Sequence, residues 1–277
     1  VNNQAVTGMD IEEIRTKVTK AQKIPFDLEK GPLIRADLYQ RGPLDHILLI
    51  TISHIISDAF SFFQLLDELW RTYAAVKEGN FQPSPPPALE YRDFVQWQAA
   101  MLKSKAAVAH RRYWSAQLAG DLPVLNLKTD RPRPPVQTNN GATRYFTPDP
   151  KLTAPTKALA AQAGCTQYMV LLAAFQILLH RYSGQDDIIV GSPTSGRTQK
   201  RFSDILGYFV NPVALRADFS KDPRGIDFLK SVRGTVLSAL EHQDYPLLSI
   251  IEDLQLERDP SRSPLFQVMF NYMGASA

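Results

Sequence analysis

The chain has 277 residues, 44% hydrophobic and 21% charged, which is an ordinary globular balance with enough apolar material for one large core or two smaller ones. A net charge of +3, with Lys and Arg scattered along the chain, argues against a nucleic-acid surface, and no apolar run approaches the roughly 20 residues a membrane span needs. The single cysteine, Cys165, excludes an internal disulfide and points to a reducing, cytoplasmic compartment. The chain opens on Val1 with neither a methionine nor a signal-peptide pattern, so a piece of something longer is expected.

Ile11, Ile14 and Val18 recur at helical spacing, which predicts a helix from Asp10 to Lys23, with Asp10 as its N-cap and Pro25 beyond its end. Leu33–Gln40 and His46–Ser53 read as two strands joined by the turn-like Arg41-Gly42-Pro43-Leu44-Asp45. Phe60, Phe63, Leu66, Leu69 and Tyr73 predict a helix over about Ala59–Lys77. The rigid run Pro83–Pro87 separates it from helices at Tyr91–Leu102 and about Ala106–Leu118. Leu127–Gly141 is too rich in Pro and Asn for regular structure and reads as the link between two lobes. Next come a strand near Arg144–Phe146, helices at Leu152–Ala163 and Tyr168–Tyr182, the strand "DIIVG" and a strand at Val210–Ala217. Helices at Ile226–Gln243 and Leu247–Leu254 and a final strand "LFQVMFNY" complete the series. Strands and helices alternate, giving an α/β class without a Rossmann glycine fingerprint.

The stretch "ITISHIISDAF", Ile50 to Phe60, interrupts an apolar run with His54 and Asp58 immediately before a helix pattern. His54 stands where a strand end leads into a loop, a place where side chains reach a cleft, although a purely structural histidine fits there too. Asp58 falls at the N-cap position of the next helix, where a carboxylate accepts backbone N–H groups. Local chemistry leaves catalysis and capping both open. "GSPTSGRT", Gly191–Thr198, nearly matches a phosphate loop, but Arg197 replaces the lysine and Pro193 stiffens it, so nucleotide binding is not expected. There is no Gly-x-Ser-x-Gly elbow and no His/Cys cluster at metal spacing. Cys165 reads as a small buried hydrophobe rather than a nucleophile. "HQDYPLLSIIEDL", from His242, reads by itself as a helix end followed by a Pro-initiated helix.

Taken in order, several segments resemble the condensation domains of nonribosomal peptide synthetases, members of the chloramphenicol acetyltransferase-like superfamily. They are "PFDLEKGPLIRADL", "SHIISDAFS", "YRDFVQWQ", "TDRPRP", "DDIIVGSPTSGR", "LGYFVNPVALR", "HQDYPLLSIIEDL" and "RDPSRSPLFQVMFNY". "SHIISDAFS" is similar to the family's His-His-x-x-x-Asp-Gly motif. The resemblance implies two chloramphenicol acetyltransferase-like lobes in a V arrangement, with the active site in the tunnel between them. Here the lobes are expected at residues 1–118 and 119–277, each incomplete at its outer end. The implied reaction joins a carrier-bound acyl or peptidyl donor to the amine of a carrier-bound aminoacyl acceptor, forming an amide.

Residue by residue, the resemblance makes His54 the catalytic histidine. It makes Asp58 a mainly structural aspartate paired with an arginine, for which Arg197 is the candidate, and Asn211 the asparagine near the active site. Ser53 stands where a first, supporting histidine is usual. Ala59 replaces a glycine that would permit positive φ or close substrate approach. The domain itself is expected to bind no cofactor and no metal; 4'-phosphopantetheine arrives on the partner carrier domains. Donor and acceptor carrier domains and an adjacent adenylation domain are the expected partners, with no nucleic acid and no membrane. Ser53 and the missing ends also fit a catalytically inactive, carrier-recruiting module. An ester-forming or CoA-dependent acyltransferase of the same superfamily is a further alternative. Because the family's segment before the Asp10 helix and the final part of its second lobe, beyond Tyr272, have no counterpart here, residues 1–277 expressed alone are expected to be poorly soluble or associated and not to catalyse condensation, even with His54 present.

Overall fold

A computed structural model describes residues 1–138, 140–257 and 259–273. Asn139 of the expected link and Arg258 at the head of "RDPSRS" therefore lie outside the described residues. The chain divides into two compact units, Val1–Phe94 with Gln199–Phe209, and Val95–Thr198 with Val210–Ala277.

In the first unit a three-stranded sheet runs in the order β1 (Asn2–Ala5), β2 (Ile34–Gly42), β3 (Asp45–Ile52). β1 lies parallel to β2, and β2 antiparallel to β3 with an irregularity between Gln40 and Gly42 at the turn. Helix α1 (Ile11–Gln22) starts at a capping box: the Asp10 side chain accepts from Glu12 N and Glu13 N, and Asp10 N donates back to Glu13. Its Ile14 packs with Val6 and Tyr39 into a small core. Helix α2 (Ala59–Lys77) has the predicted bounds, but its apolar residues are not enclosed within the chain. Phe60, Phe63, Leu69 and Tyr73 are all exposed, and Ser61 is the residue it buries.

The second unit holds helices α4 (Lys105–Gln117), α5 (Thr153–Gln162), α6 (Gln167–Ser183), α7 (Gly225–Glu241) and α8 (Leu247–Leu254) around the antiparallel pair β4 (Asp187–Thr194) and β5 (Asn211–Asp218). Helix α3 (Tyr91–Leu102) begins in the first unit and ends in this one. Both strands are buried along most of their length, as continuous apolar runs require. Their side chains join Leu172, Leu179, Phe228, Val232, Ile250 and Trp114 in one core, where full burial of each large apolar side chain is worth about 1.5–3 kcal/mol over exposure. Cys165 packs half-buried against this core as a free thiol.

Three expectations are corrected. The division at Leu118 fails because α4 belongs to the second unit: Trp114 and Leu118 are each 1% exposed in its core. Arg216 Nη1 also donates to the carbonyls of Gln117 and Ala119 while Arg216 grips Asp187. Arg144–Phe146 is not a strand; Tyr145 and Phe146 are exposed and unpaired with any strand among the described residues. "LFQVMFNY" contributes only a bridge, in which Gly191 N donates to Val268 O and Phe270 N donates to Gly191 O. Glycine is needed at 191 because a Cβ there would stand 2.4 Å from the Phe266 ring. That pairing also occupies the backbone of the near-miss phosphate loop: Gly191–Thr194 is strand, so no cradle of free N–H groups forms there.

At the end of α7, His242 Nδ1 lies 2.8 Å from His110 Nδ1 of α4, with the Tyr113 ring stacked on His242 at 4.2 Å. Such a bond needs one N–H and one lone pair, so a second proton breaks it. Burial, and then the neighbouring His110, lower the His242 pKa below 6.5, against a smaller upward pull from Glu241. Burial and Glu241 together push the Tyr113 hydroxyl up to about 12. The unfolded chain therefore takes the extra His242 proton more readily than the folded one. The stability this group contributes is complete above 6.5 and is lost as pH falls from there through its folded value. Urea midpoints measured from about pH 8 to about pH 5 should fall on the acid side, and His242→Gln should flatten that fall. An unchanged slope in the variant would assign the acid sensitivity to other groups.

Candidate active site

β3 ends at Ile52, and Ser53 N continues the ladder by one bond to Leu33 O (2.9 Å). The chain then turns through His54 and Ile55, closed by Ile56 N donating to Ser53 O (3.1 Å). The turn leaves His54, Ile55 and Ile56 exposed, so the apolar run that began in the strand ends at the surface of its unit. Asp58, four residues after His54, is only 2% exposed. Its extended backbone caps α2, and Oδ1 accepts from Ser61 N at 2.8 Å.

The second oxygen has a different task. Asp58 Oδ2 accepts from Phe209 N at 3.0 Å, and Asp58 N donates to Gly207 O at 3.2 Å. Ser61 adds a reciprocal pair: its hydroxyl donates to Gly207 O (2.8 Å) and accepts from Gly207 N (3.0 Å). From the other side the Tyr91 hydroxyl donates to Tyr208 O. Gly207 has no room for a side chain, since a Cβ would meet the Tyr91 ring at 2.2 Å. Phe209, 3% exposed, packs on Phe94 at 4.5 Å between ring centroids, and Phe94 packs on Phe202 at 5.6 Å. The segment Gly207–Phe209 is thus clamped against the N-terminus of α2. Between its two anchored neighbours, the Tyr208 ring meets the His54 imidazole at 5.3 Å and 76°.

With this geometry in place, the comparison with known families is decisive: residues 3–275 match the family described as "Condensation domain". The chain belongs to the condensation domain family. Among curated relatives, malpibaldin synthetase of Mortierella alpina is 43% identical over 247 residues, which cover 89% of this chain and 4% of that protein. Tyrocidine synthase 3 of Brevibacillus parabrevis is 38% identical over 267 residues, 96% of this chain and 4% of that protein. Among solved structures, the X-domain from teicoplanin biosynthesis superposes with a TM-score of 0.89 at 25% identity, covering 97% of this chain and 60% of that one. A four-domain nonribosomal peptide synthetase superposes at 0.82 with 25% identity, covering 98% of this chain and 20% of that one. The chain thus spans a small part of the synthetases it resembles, and its α/β fold is that of known condensation domains.

The structure brings Ser53, His54, Asp58 and Ala59 of this condensation domain together at one strand–turn–helix corner. Ala59 opens α2 in helical conformation with an exposed side chain, so its backbone does not call for glycine. Arg197 and Asn211 belong to the second unit. Arg197 follows β4 in a loop whose Thr198 hydroxyl donates to Asp244 Oδ1 at 2.7 Å. Asn211 staples the corner between α7 and α8: Nδ2 donates to Gln243 O (2.7 Å) and Tyr245 O (2.8 Å), while Oδ1 accepts from Leu247 N (2.9 Å). Ser61, Tyr91, Gly207 and Tyr208 carry no role in the sequence reading. The signature segments "YRDFVQWQ" and "LGYFVNPVALR" contain three of them, but nothing local marks which residues clamp and which are merely nearby.

Asp58→Ala removes a cap worth about 1 kcal/mol and orphans the buried Phe209 N–H for about 1–3 kcal/mol more. A total loss of roughly 2–4 kcal/mol is expected by urea unfolding, with Asp58→Asn, which keeps one acceptor, in between. A loss of the cap's size alone would mean that the bond to Phe209 contributes nothing.

Proposed function

We propose that this chain is the catalytic portion of a nonribosomal peptide synthetase condensation domain, and that His54 is the residue that acts on the reacting amine. The observation that carries the proposal is His54 itself: an exposed imidazole on a turn, four residues before a buried carboxylate that ties down both flanks of its surroundings. The lobes in a V with an active-site tunnel, and the carrier and adenylation partners, belong to this reading. It is supported by relatives that are themselves peptide synthetases.

In the reaction an acceptor amine attacks the carbonyl of the donor thioester. Both chains are delivered on phosphopantetheine arms, which are part of the substrates. The C–N bond forms as the C–S bond breaks, the electron pair leaves with sulfur, and the ammonium proton must go to a base. A neutral imidazole can accept it at its unprotonated ring nitrogen. Holding two tethered substrates in one geometry supplies a further large part of the rate. Ser53 offers a hydroxyl beside this histidine in place of a second imidazole.

His54→Ala in the parent domain, assayed with loaded donor and acceptor carriers by mass spectrometry, should reduce amide formation by roughly 10²–10⁴-fold with the fold intact. Near-normal turnover under chemistry-limited conditions would remove His54 from the mechanism.

One observation favours a second reading, a recruiting module without turnover. The X-domain from teicoplanin biosynthesis superposes well on this chain, and a structure of that domain in complex with OxyB superposes at a TM-score of 0.88. An inactive wild-type domain in the same assay would favour it.

Under the catalytic reading, Arg197 is the partner of the Asp58 carboxylate. Removing one member of a buried pair costs about 3–5 kcal/mol, so Asp58→Ala and Arg197→Ala should be strongly non-additive in a double-mutant cycle. Additive effects would leave Asp58 as a cap and backbone anchor alone.

A further inference from the structure

We propose that Tyr208 is a positioning residue for His54: its ring, carried on the clamped Gly207–Phe209 segment, fixes the orientation in which the imidazole meets the reacting amine. The inference rests on the reading of His54 as the acting group and adds the residue that aims it.

His54 is exposed on a short turn, where a side chain ordinarily exchanges rotamers within picoseconds to nanoseconds. A group that must take a proton at a defined atom cannot work from an averaged position. The near-perpendicular contact with Tyr208, at 5.3 Å and 76°, is one of the two arrangements that aromatic rings prefer, and it restricts that rotation.

Tyr208 can do this because its own backbone has little freedom. Gly207 before it is held by both its N–H and its C=O on Ser61, Phe209 after it by its N–H on Asp58, and its own carbonyl by the Tyr91 hydroxyl. The bonds that cap α2 therefore also set the direction of the Tyr208 side chain. The observed contact to the imidazole is a ring–ring one, with no hydrogen bond from the phenol oxygen to His54 among the described residues, so phenylalanine should replace tyrosine here while an aliphatic side chain should not.

The test uses the complete condensation domain with its carrier domains, comparing wild type, Tyr208→Phe, Tyr208→Leu and His54→Ala. Two readouts are needed: single-turnover amide formation with loaded carriers, and NMR of histidine ring C–H signals, with His54→Ala assigning the His54 resonances. In Tyr208→Leu the rate should fall about ten- to hundredfold with KM for the acceptor nearly unchanged, and the His54 signals should lose the ring-current shift that Tyr208 imposes. Tyr208→Phe should keep both the rate and the shift. Unmoved His54 signals in Tyr208→Leu, or a Tyr208→Phe variant as impaired as Tyr208→Leu, would overturn the proposal. If His54→Ala itself proves active, the catalytic reading of His54 falls, and the NMR comparison still decides whether Tyr208 orients the imidazole.

Discussion

The Asp58 carboxylate holds two backbone N–H groups that come from distant parts of the chain, Ser61 at the first turn of α2 and Phe209, 151 residues further on. A carboxylate at 2% exposure loses most of its hydration, and the bonds from these N–H groups, with the positive end of the helix dipole, help to replace it. Much of the first unit is arranged around that exchange. The extended backbone that lets Asp58 cap α2 ends the turn that carries His54, and the bond to Phe209 draws in the segment that carries Tyr208. Capping and catalysis, which compete as explanations of "SHIISDAF" in the sequence, need not fall on one residue: Asp58 is the cap, and a catalytic role is proposed for His54 on the surroundings the cap creates.

The second unit uses the same device with different side chains. Asn211 satisfies two carbonyls and one N–H where α7 gives way to α8, a corner whose backbone groups have no helical partners. Arg216 forks onto Asp187 across the β4–β5 pair and reaches the carbonyls that follow α4. In each case a polar side chain serves backbone groups that regular structure leaves over, and both residues stand in one short stretch, "NPVALR".

The helices were legible because their signals are local. Asp10 with Glu13, Asp58 before Ala59, and apolar spacing near 3.6 residues all act within a turn or two, and α1, α2, α3, α6 and α8 fall within about two residues of their predicted bounds. β1 was not legible. "NNQA" has no apolar alternation, and it is a strand only because β2, 35 residues on in the register, offers it a parallel edge. The reverse error befell Tyr145 and Phe146, whose β-favouring side chains have no such edge. Apolar spacing on α2 was read correctly as helical, yet spacing cannot say whether anything covers the face it creates.

By itself the sequence determined the α/β class, the helix positions and the ordered motifs that mark the family, because each depends on residues a few positions apart or on a pattern shared by relatives. Only the tertiary structure decided that the chain divides after Phe94 and borrows Gln199–Phe209 back into its first unit, and that Gly207 must be glycine beneath Tyr91. It alone set Tyr208 against His54. Those outcomes depend on which distant backbone groups a buried carboxylate and hydroxyl can satisfy, and that is settled by closure in space rather than by spacing along the chain.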